Sequence, residues 1–524
     1  MLKNGSKLTL LTMTSRILGL VREITRAALL GTSVLSDAYS VAFLIPNLFR
    51  RLFAENSMTV AFIPTFKRYL EEKNKDEIKK FLSATFTFLS FIISVTVVIG
   101  ILITPLIIPL FGLSTPETVL LTRIMFPYLA VISIAAFFQG ILNGIKIFSP
   151  SGFTPILFNL CIIGCAWLLS PVMQNPARAM AVGVLLGGVI QAGFQLPFIL
   201  KNGFRFHFVS IRNAFTDPGT KTIVKLIAPT IVGMAAYQLN ELVSTILAGH
   251  AGPGIVSSLQ FSLRLQELIL GVFAVSIGTV ILPDLTDHVV QKDWKQFNTL
   301  LSQAIETIAL ITIPVTFYSL VSGKGIITLL FRGMNFSEES VNLTLAAFTW
   351  HIAGLYFIAL NRIIAPAFYA QGDTRSPTIA GITGVIFNII LATILVFPMK
   401  GGGIALALSI ASAVNTILLL FFLKRMQVID IGKILRAIIL YALKITAFSL
   451  VAALPIWLFR TPIYARFAGH NRLISQGIPL IISLVIFAGI GIGLLFLTRD
   501  KIAVLVISGI RKKQKRHIRR TKEN

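Results

Sequence analysis

Residues 81–111 read FLSATFTFLSFIISVTVVIGILITPLIIPLF, without one charged side chain. A helix needs about 20 apolar residues to cross the hydrocarbon core of a bilayer, and this run is longer than that. Similar charge-free runs occupy 376–399, 401–423 and 473–498. Across the whole chain, apolar residues make up 55% and charged residues only 13% of 524, with a mean hydropathy of +0.83. Soluble domains carry about a quarter of their residues charged, so the chain is read as an integral membrane protein. Long unbroken runs exclude a β-barrel, whose strands would read as ~10-residue alternating segments. The expected fold class is all-α, with helices near 8–30, 34–66, 81–111, 117–146, 152–172, 178–201, 222–249, 253–283, 296–322, 338–371, 376–398, 401–424, 434–459 and 474–498, fourteen spans in all.

The net charge of +26 and pI near 10.4 would suggest nucleic acid in a soluble protein. Here the positive-inside rule supplies the cause, because loops facing the cytoplasm collect Lys and Arg. Lys67, Arg68, Lys73, Lys75, Lys79 and Lys80 fill one loop, and Lys201, Arg205, Arg212, Lys221 and Lys225 another. Residues 499–524 alone hold ten basic and two acidic residues. Both termini are therefore expected in the cytoplasm, the tail touching anionic membrane lipids, with no nucleic acid as partner. The first apolar stretch carries arginines and lacks a small-residue cleavage site, so it reads as the first helix and not as a removed signal. Cys161 and Cys165, one turn apart in an apolar run, read as packing residues.

Residues 57–120 repeat over 276–342. Ser57, Ile63, Pro64, Leu82 and Ser83 face Ser276, Leu282, Pro283, Leu301 and Ser302 at a constant offset, and Glu117–Thr122 faces Glu339–Thr344. Two homologous six-helix lobes around a central cavity follow, at 1–202 and 222–425, with a cytoplasmic linker at 203–221, two extra helices within 426–498 and a basic tail at 499–524. An even helix count per lobe keeps both copies in one orientation, the parallel-repeat pattern of transporters that rock one lobe against the other.

Charges inside spans cost about 2.5 to 3.5 kcal/mol each on insertion scales and mark function. The first helix carries Arg16, Arg22 and Arg26; the second carries Asp37, Arg50, Arg51 and Glu55; the eighth carries Arg264 and Glu267. Arg51 and Glu55 at i,i+4, and Arg264 and Glu267 at i,i+3, have spacings that permit ion pairs on one face. Arg16, Arg22 and Arg50 are read as having no acid on their own turns. Guanidinium groups at membrane depth with too few acids point to an anionic ligand, and their planar fork suits a diphosphate. Gly19, between Arg16 and Arg22, is a hinge candidate.

These residues also carry a resemblance. Ser15-Arg16, Gly19, Arg22-Glu23, Ser36-Asp37-Ala38-Tyr39, Pro46-Asn47, Arg50-Arg51, Glu55 and Ala61-Phe62-Ile63-Pro64 closely resemble the MurJ (MviN) family of lipid II flippases, within the MOP exporter superfamily. The likeness continues through Arg264–Glu267, Leu282-Pro283, Ala367–Ala370 and Gly372–Pro377. It implies a flippase that moves undecaprenyl-diphosphate-linked peptidoglycan precursor from the inner to the outer leaflet of the bacterial cytoplasmic membrane. It further implies Arg16, Arg22, Arg50 and Arg264 as substrate-binding arginines, with Asp37, Glu55 and Glu267 as cavity acids. The final two helices would form a groove for the polyprenyl tail. The expected protein is a monomer that partners lipid II, with cell-wall synthesis machinery as a candidate partner, and it needs no cofactor. Some members hold sodium on helices seven and eleven; the corresponding positions here are Ser244, Asn388 and Ala392, which lack the acids, so no metal is expected.

Three alternatives compete. Flippases for other polyprenyl-diphosphate oligosaccharides share the headgroup. A drug or cation antiporter would line its cavity with acids and aromatics instead of arginine. A polyprenyl-phosphate enzyme finds support only in Asp284-Leu-Thr-Asp287, a lone acidic pair read as a solvated loop start; no P-loop, HExxH or GxSxG pattern occurs.

Overall fold

The computed structural model describes residues 2–55, 58–426 and 428–505; the side chains of 2–9, 53–55, 58, 59, 228–234, 236, 237 and 272–280 are not described. The Glu55 side chain and the tail beyond residue 505 therefore lie outside the described residues.

Helices account for nearly all of the described chain. In order they are α1 (Leu2–Leu30), α2 (Val34–Phe49), α3 (Ile63–Glu72), α4 (Lys75–Ile107), α5 (Pro116–Met125), α6 (Tyr128–Gly144), α7 (Ser149–Met173), α8 (Pro176–Lys201), α9 (Ile211–Thr216) and α10 (Pro218–Ala251). There follow α11 (Ile255–Val290), α12 (Trp294–Phe331), α13 (Glu338–Ala353), α14 (Leu355–Tyr369), α15 (Arg375–Met399), α16 (Gly401–Lys424), α17 (Ile431–Arg436), α18 (Ala442–Arg466) and α19 (Ile478–Leu497). Among the described residues the only β-type pairing is an isolated bridge between Gly333 and Phe336. Every segment expected from the sequence coincides in order with one of these helices or with a consecutive group of them. Among the described residues nine helices are long and apolar enough to span a membrane, ten if the bent α13–α14 pair is one span.

Four expected helices are interrupted, one of them, 434–459, by a π-helical turn at Ala437–Tyr441 between α17 and α18. Between α2 and α3 the chain winds as π-helix over Arg50–Glu55 and Met58–Phe62. Pro46 and Pro64, which lack an N–H to donate, flank this stretch, and π-turns gather at functional sites. The 117–146 run breaks at Pro127, giving α5 and α6. The 338–371 run bends by 42° at Gly354. A Cβ there would stand 2.2 Å from Ser409 Oγ, so only glycine lets α16 approach so closely. In the other direction, α11 runs on to Val290, so Asp284 and Asp287 are exposed side chains on its last turns and do not start a loop.

The chain divides into two compact units. One comprises residues 1–260 with 333–340; the other comprises 261–332 with 341–524. The first has an aromatic core in which Phe62 stacks on Phe66 and Phe81, with ring centroids 5.5 and 5.9 Å apart, and meets Phe137 at 5.1 Å. In the second, Ala452, Ala453, Ile456 and Phe487 join α18 to α19 against Tyr318 of α12.

Candidate functional site

In the first unit α1 is continuous through all three of its arginines. Arg22 donates from one terminal nitrogen to Asn159 Oδ1 on α7 at 3.0 Å and from the other to Glu23 Oε1 at 2.8 Å. Glu23 turns its second oxygen to Arg26, 3.3 Å away. Arg26 also donates to Gln260 Oε1 at 2.9 Å and to Ser40 Oγ at 3.4 Å. Glu23 and Arg26 are buried, and the Arg22 side chain is 12% exposed. One carboxylate thus serves two guanidinium groups. This corrects the expectation that Arg22 has no acid on its own turn: neighbours in sequence do not share a helix face, yet they can still pair. The long arginine side chain folds back far enough to reach its neighbour. Arg16 is half-buried and has no hydrogen-bond or ion-pair partner among the described residues.

Asp37 has a different occupation from a cavity acid. It is fully buried on α2, and its two oxygens accept the backbone N–H groups of Gly254, at 2.6 Å, and Ser257, at 2.8 Å. These are the orphan donors at the start of α11, where the helix dipole favours negative charge. Gly254 reaches this geometry with φ +78, and a Cβ on it would stand 2.5 Å from the Thr32 carbonyl oxygen. Asp37 therefore fixes where α11 begins.

Arg50, at the start of the π-helical stretch, donates from Nε to Asn47 Oδ1 at 2.8 Å. The spacing of Arg51 permits a pair with Glu55, whose side chain lies outside the described residues. Arg51 forms an ion pair with Glu241 of α10, an acid the sequence reading passed over. The separation of the two in sequence left no spacing signal by which to find it.

In the second unit Arg264 and Glu267 form the pair their spacing predicts, at 3.1 Å, and both side chains stay well exposed at 39% and 58%. The opposite face of the same stretch is pinned: Ser262 Oγ lies 2.6 Å from His351 Nδ1 on α13, and Gln266 donates to the His351 carbonyl. The sodium-related positions Asn388 and Ala392 on α15 are buried, and Ser409 donates its hydroxyl to the Trp350 carbonyl at 2.6 Å. Among the described residues no three His, Cys, Asp or Glu side chains cluster as metal ligands.

The last two long helices border an apolar cavity of about 740 Å³ with α12. Pro314 and Tyr318, Phe448 and Ala452, and Phe487 and Gly491 face it from the three helices. One end carries Asp500, whose carboxylate accepts from Lys444 Nζ at 2.6 Å, the Ala503 N–H at 2.9 Å and the Tyr441 hydroxyl at 3.0 Å. Burial pushes the Asp500 carboxyl up, but these three donors outweigh it and hold it below the ordinary carboxylate value.

A chain of many long apolar helices that buries arginines in α1 is a multi-pass transporter in class, and its fold has known parallels. A multidrug-resistance MATE family transporter of the MOP superfamily, inward-facing, shares the fold at a TM-score of 0.64 and 16% identity, over 80% of this chain and 96% of the other. A solved lipid II flippase MurJ in an inward closed conformation matches at a TM-score of 0.78 and 27% identity, over 94% and 99%. The "probable lipid II flippase MurJ" of Treponema pallidum (strain Nichols) is 47% identical over 519 residues, 98% of each chain. That of Vibrio cholerae serotype O1 is 32% identical, over 80% of this chain and 82% of its own. The family model described as lipid II flippase MurJ matches residues 26–467, and the chain belongs to that family.

Proposed function

We propose that the chain flips lipid II from the inner to the outer leaflet of the cytoplasmic membrane, as a transporter and not an enzyme. The observation that carries this reading is the charge excess of α1, where Glu23 serves both Arg22 and Arg26 and half-buried Arg16 has no ion-pair partner among the described residues. Uncompensated cations at membrane depth are costly, and a diphosphate headgroup that accepts forked guanidinium hydrogen bonds supplies the missing anion. Arg16, Arg22, Arg50 and Arg264 are the proposed headgroup ligands, with Glu267 and Glu55 as acids that set the charge balance. Asp37 acts through α11, as the cap of its first turn. The cavity between α12, α18 and α19 takes the prenyl tail, its apolar lining matching an isoprenoid chain.

The six-helix repeat supports alternating access by two lobes, with Gly19 as the point where α1 bends. The basic loops support both termini in the cytoplasm, and the basic tail supports contact with anionic lipid. The reading takes the protein as a monomer. A cation exporter of the same superfamily is disfavoured by the arginines, which would repel its cargo.

Depletion of the protein in its host tests this reading. Lipid II accumulates on the inner leaflet, and re-expression of the wild-type chain clears it. Depletion that leaves the leaflet distribution of lipid II unchanged rules the reading out.

A further inference from the structure

Asn159 is a buried amide on α7, 137 residues away in sequence from the arginine it holds. Its three partners have fixed polarity. Arg22 can only donate, and it donates to Oδ1 at 3.0 Å. The carbonyls of Ser15, at 3.3 Å, and Pro155, at 3.0 Å, can only accept, and both take Nδ2. The amide orientation is therefore dictated by its surroundings, and a flipped amide would set N–H against N–H and oxygen against oxygen.

The placement of this amide on α1 follows from Gly19. A Cβ at Gly19 would have Asn159 Nδ2 as its nearest neighbour, at 3.9 Å. Asn159 thus lies over the turn that contains Gly19, bonded to Ser15 one turn before it and to Arg22 just under one turn after it. The Ser15 carbonyl is also the acceptor that Gly19 N–H would use in the helical ladder. Asn159 gives that carbonyl a second donor, so a bend of α1 at Gly19 does not leave it orphaned.

With Glu23 on one terminal nitrogen and Asn159 on the other, Arg22 is held from both sides. Its remaining N–H groups have no partner among the described residues and are left for a ligand. We propose that Asn159 is a positioning residue that presents Arg22 to the headgroup phosphates and ties its aim to the turn at Gly19. The inference rests on the lipid II reading above. A preorganised arginine loses less freedom when it binds, so Asn159 sets how tightly lipid II is held more than how fast a bound molecule crosses.

The test is a double-mutant cycle in proteoliposomes, reading the half-saturating lipid II concentration and the maximal flipping rate for Asn159→Ala, Arg22→Ala and the two combined. Asn159→Ala raises the half-saturating concentration about tenfold, the weight of one hydrogen bond to a charged group, with little change in maximal rate. In the Arg22→Ala background it adds nothing. Asn159→Asp keeps the size of the side chain and covers the case in which the alanine variant does not fold. Its carboxylate opposes two carbonyl oxygens and neutralises Arg22, so it weakens lipid II at least as much as alanine. Parent-like half-saturation in both Asn159 variants, or a full additive loss on top of Arg22→Ala, overturns the positioning role. If Arg22→Ala itself holds lipid II as the parent does, the reading of the site is what fails, and the role of Asn159 falls with it.

Discussion

The buried polar groups of α1 and the apolar cavity of α12, α18 and α19 solve opposite problems inside one membrane. Around α1, Arg22, Glu23, Arg26 and Asn159 are locked into one another. Around the cavity, polar contacts are few: Asp500 holds Lys444 and Tyr441 at one end, and the Tyr318 hydroxyl donates to the Leu480 carbonyl. In the proposed reading a lipid with a charged head and a long apolar tail uses both environments. Head recognition would then rest on a few directional hydrogen bonds, which fail when one donor moves. Tail recognition would rest on volume and apolar area, which tolerate most substitutions that do not fill the space.

The largest expected effect of a structural substitution falls on Asp37, which underlies the polar side of this contrast. Asp37→Ala removes two charge-assisted bonds to the start of α11, a loss of about 3 kcal/mol. Melting in detergent and flipping in proteoliposomes should both collapse, while Asp37→Asn, which keeps one acceptor, is partly spared. An Asp37→Ala protein with parent-like melting would show that α11 does not depend on this cap.

On the tail side, Gly491 lines the cavity and has open space where a Cβ would stand. Gly491→Trp should fill the cavity without disturbing packing, slow flipping of full-length lipid II several-fold and leave a short-tailed analogue unaffected. Equal slowing of both lipids would mean that the cavity does not hold the tail.

Much of this architecture is legible in the sequence. The runs 376–398 and 401–424 match α15 and α16 within a residue, because Arg375, Lys400 and Lys424 bound them and bilayer length fixes the rest. The breaks are less legible. Pro127 splits a run, yet Pro105, Pro155, Pro197 and Pro314 lie inside unbroken helices, so only packing decides which proline interrupts. The charged positions are visible as charges, and spacing gives the Arg264–Glu267 pair, but the distant partners are not visible. Asn159, Gln260 and Glu241 lie far along the chain from the arginines they meet, beyond any helical spacing, and Asp37 reads the same whether it faces a cavity or caps a helix.

A smaller effect is expected at Asp500. Its depressed carboxyl contributes stability that is present above the ordinary carboxylate range, about pH 4, and is lost as pH falls through the lower folded value. The melting gap between the parent and Asp500→Asn should be about 2 °C at pH 7 and close in strong acid. A gap independent of pH would show that the carboxylate charge is not what ties Lys444 to this segment.

The smallest expected effect is none. Ser244, Asn388 and Ala392 offer sodium no carboxylate, and Ser409 already donates its hydroxyl to Trp350. Replacing sodium by choline at a clamped potential should leave the rate unchanged. Collapsing the potential should slow it, since one charge moved through 100 mV is worth about 2.3 kcal/mol. A several-fold loss in choline would mean that sodium is held by other groups.

The most direct measurement of the central claim is lipid II translocation in proteoliposomes by the parent, by Arg16→Ala/Arg22→Ala/Arg264→Ala, and by the matching lysine triple. The alanine protein should show no translocation above background and the lysine protein a partial return, because lysine keeps the charge but loses the fork. An alanine triple that folds, inserts and flips lipid II at the parental rate would contradict that claim.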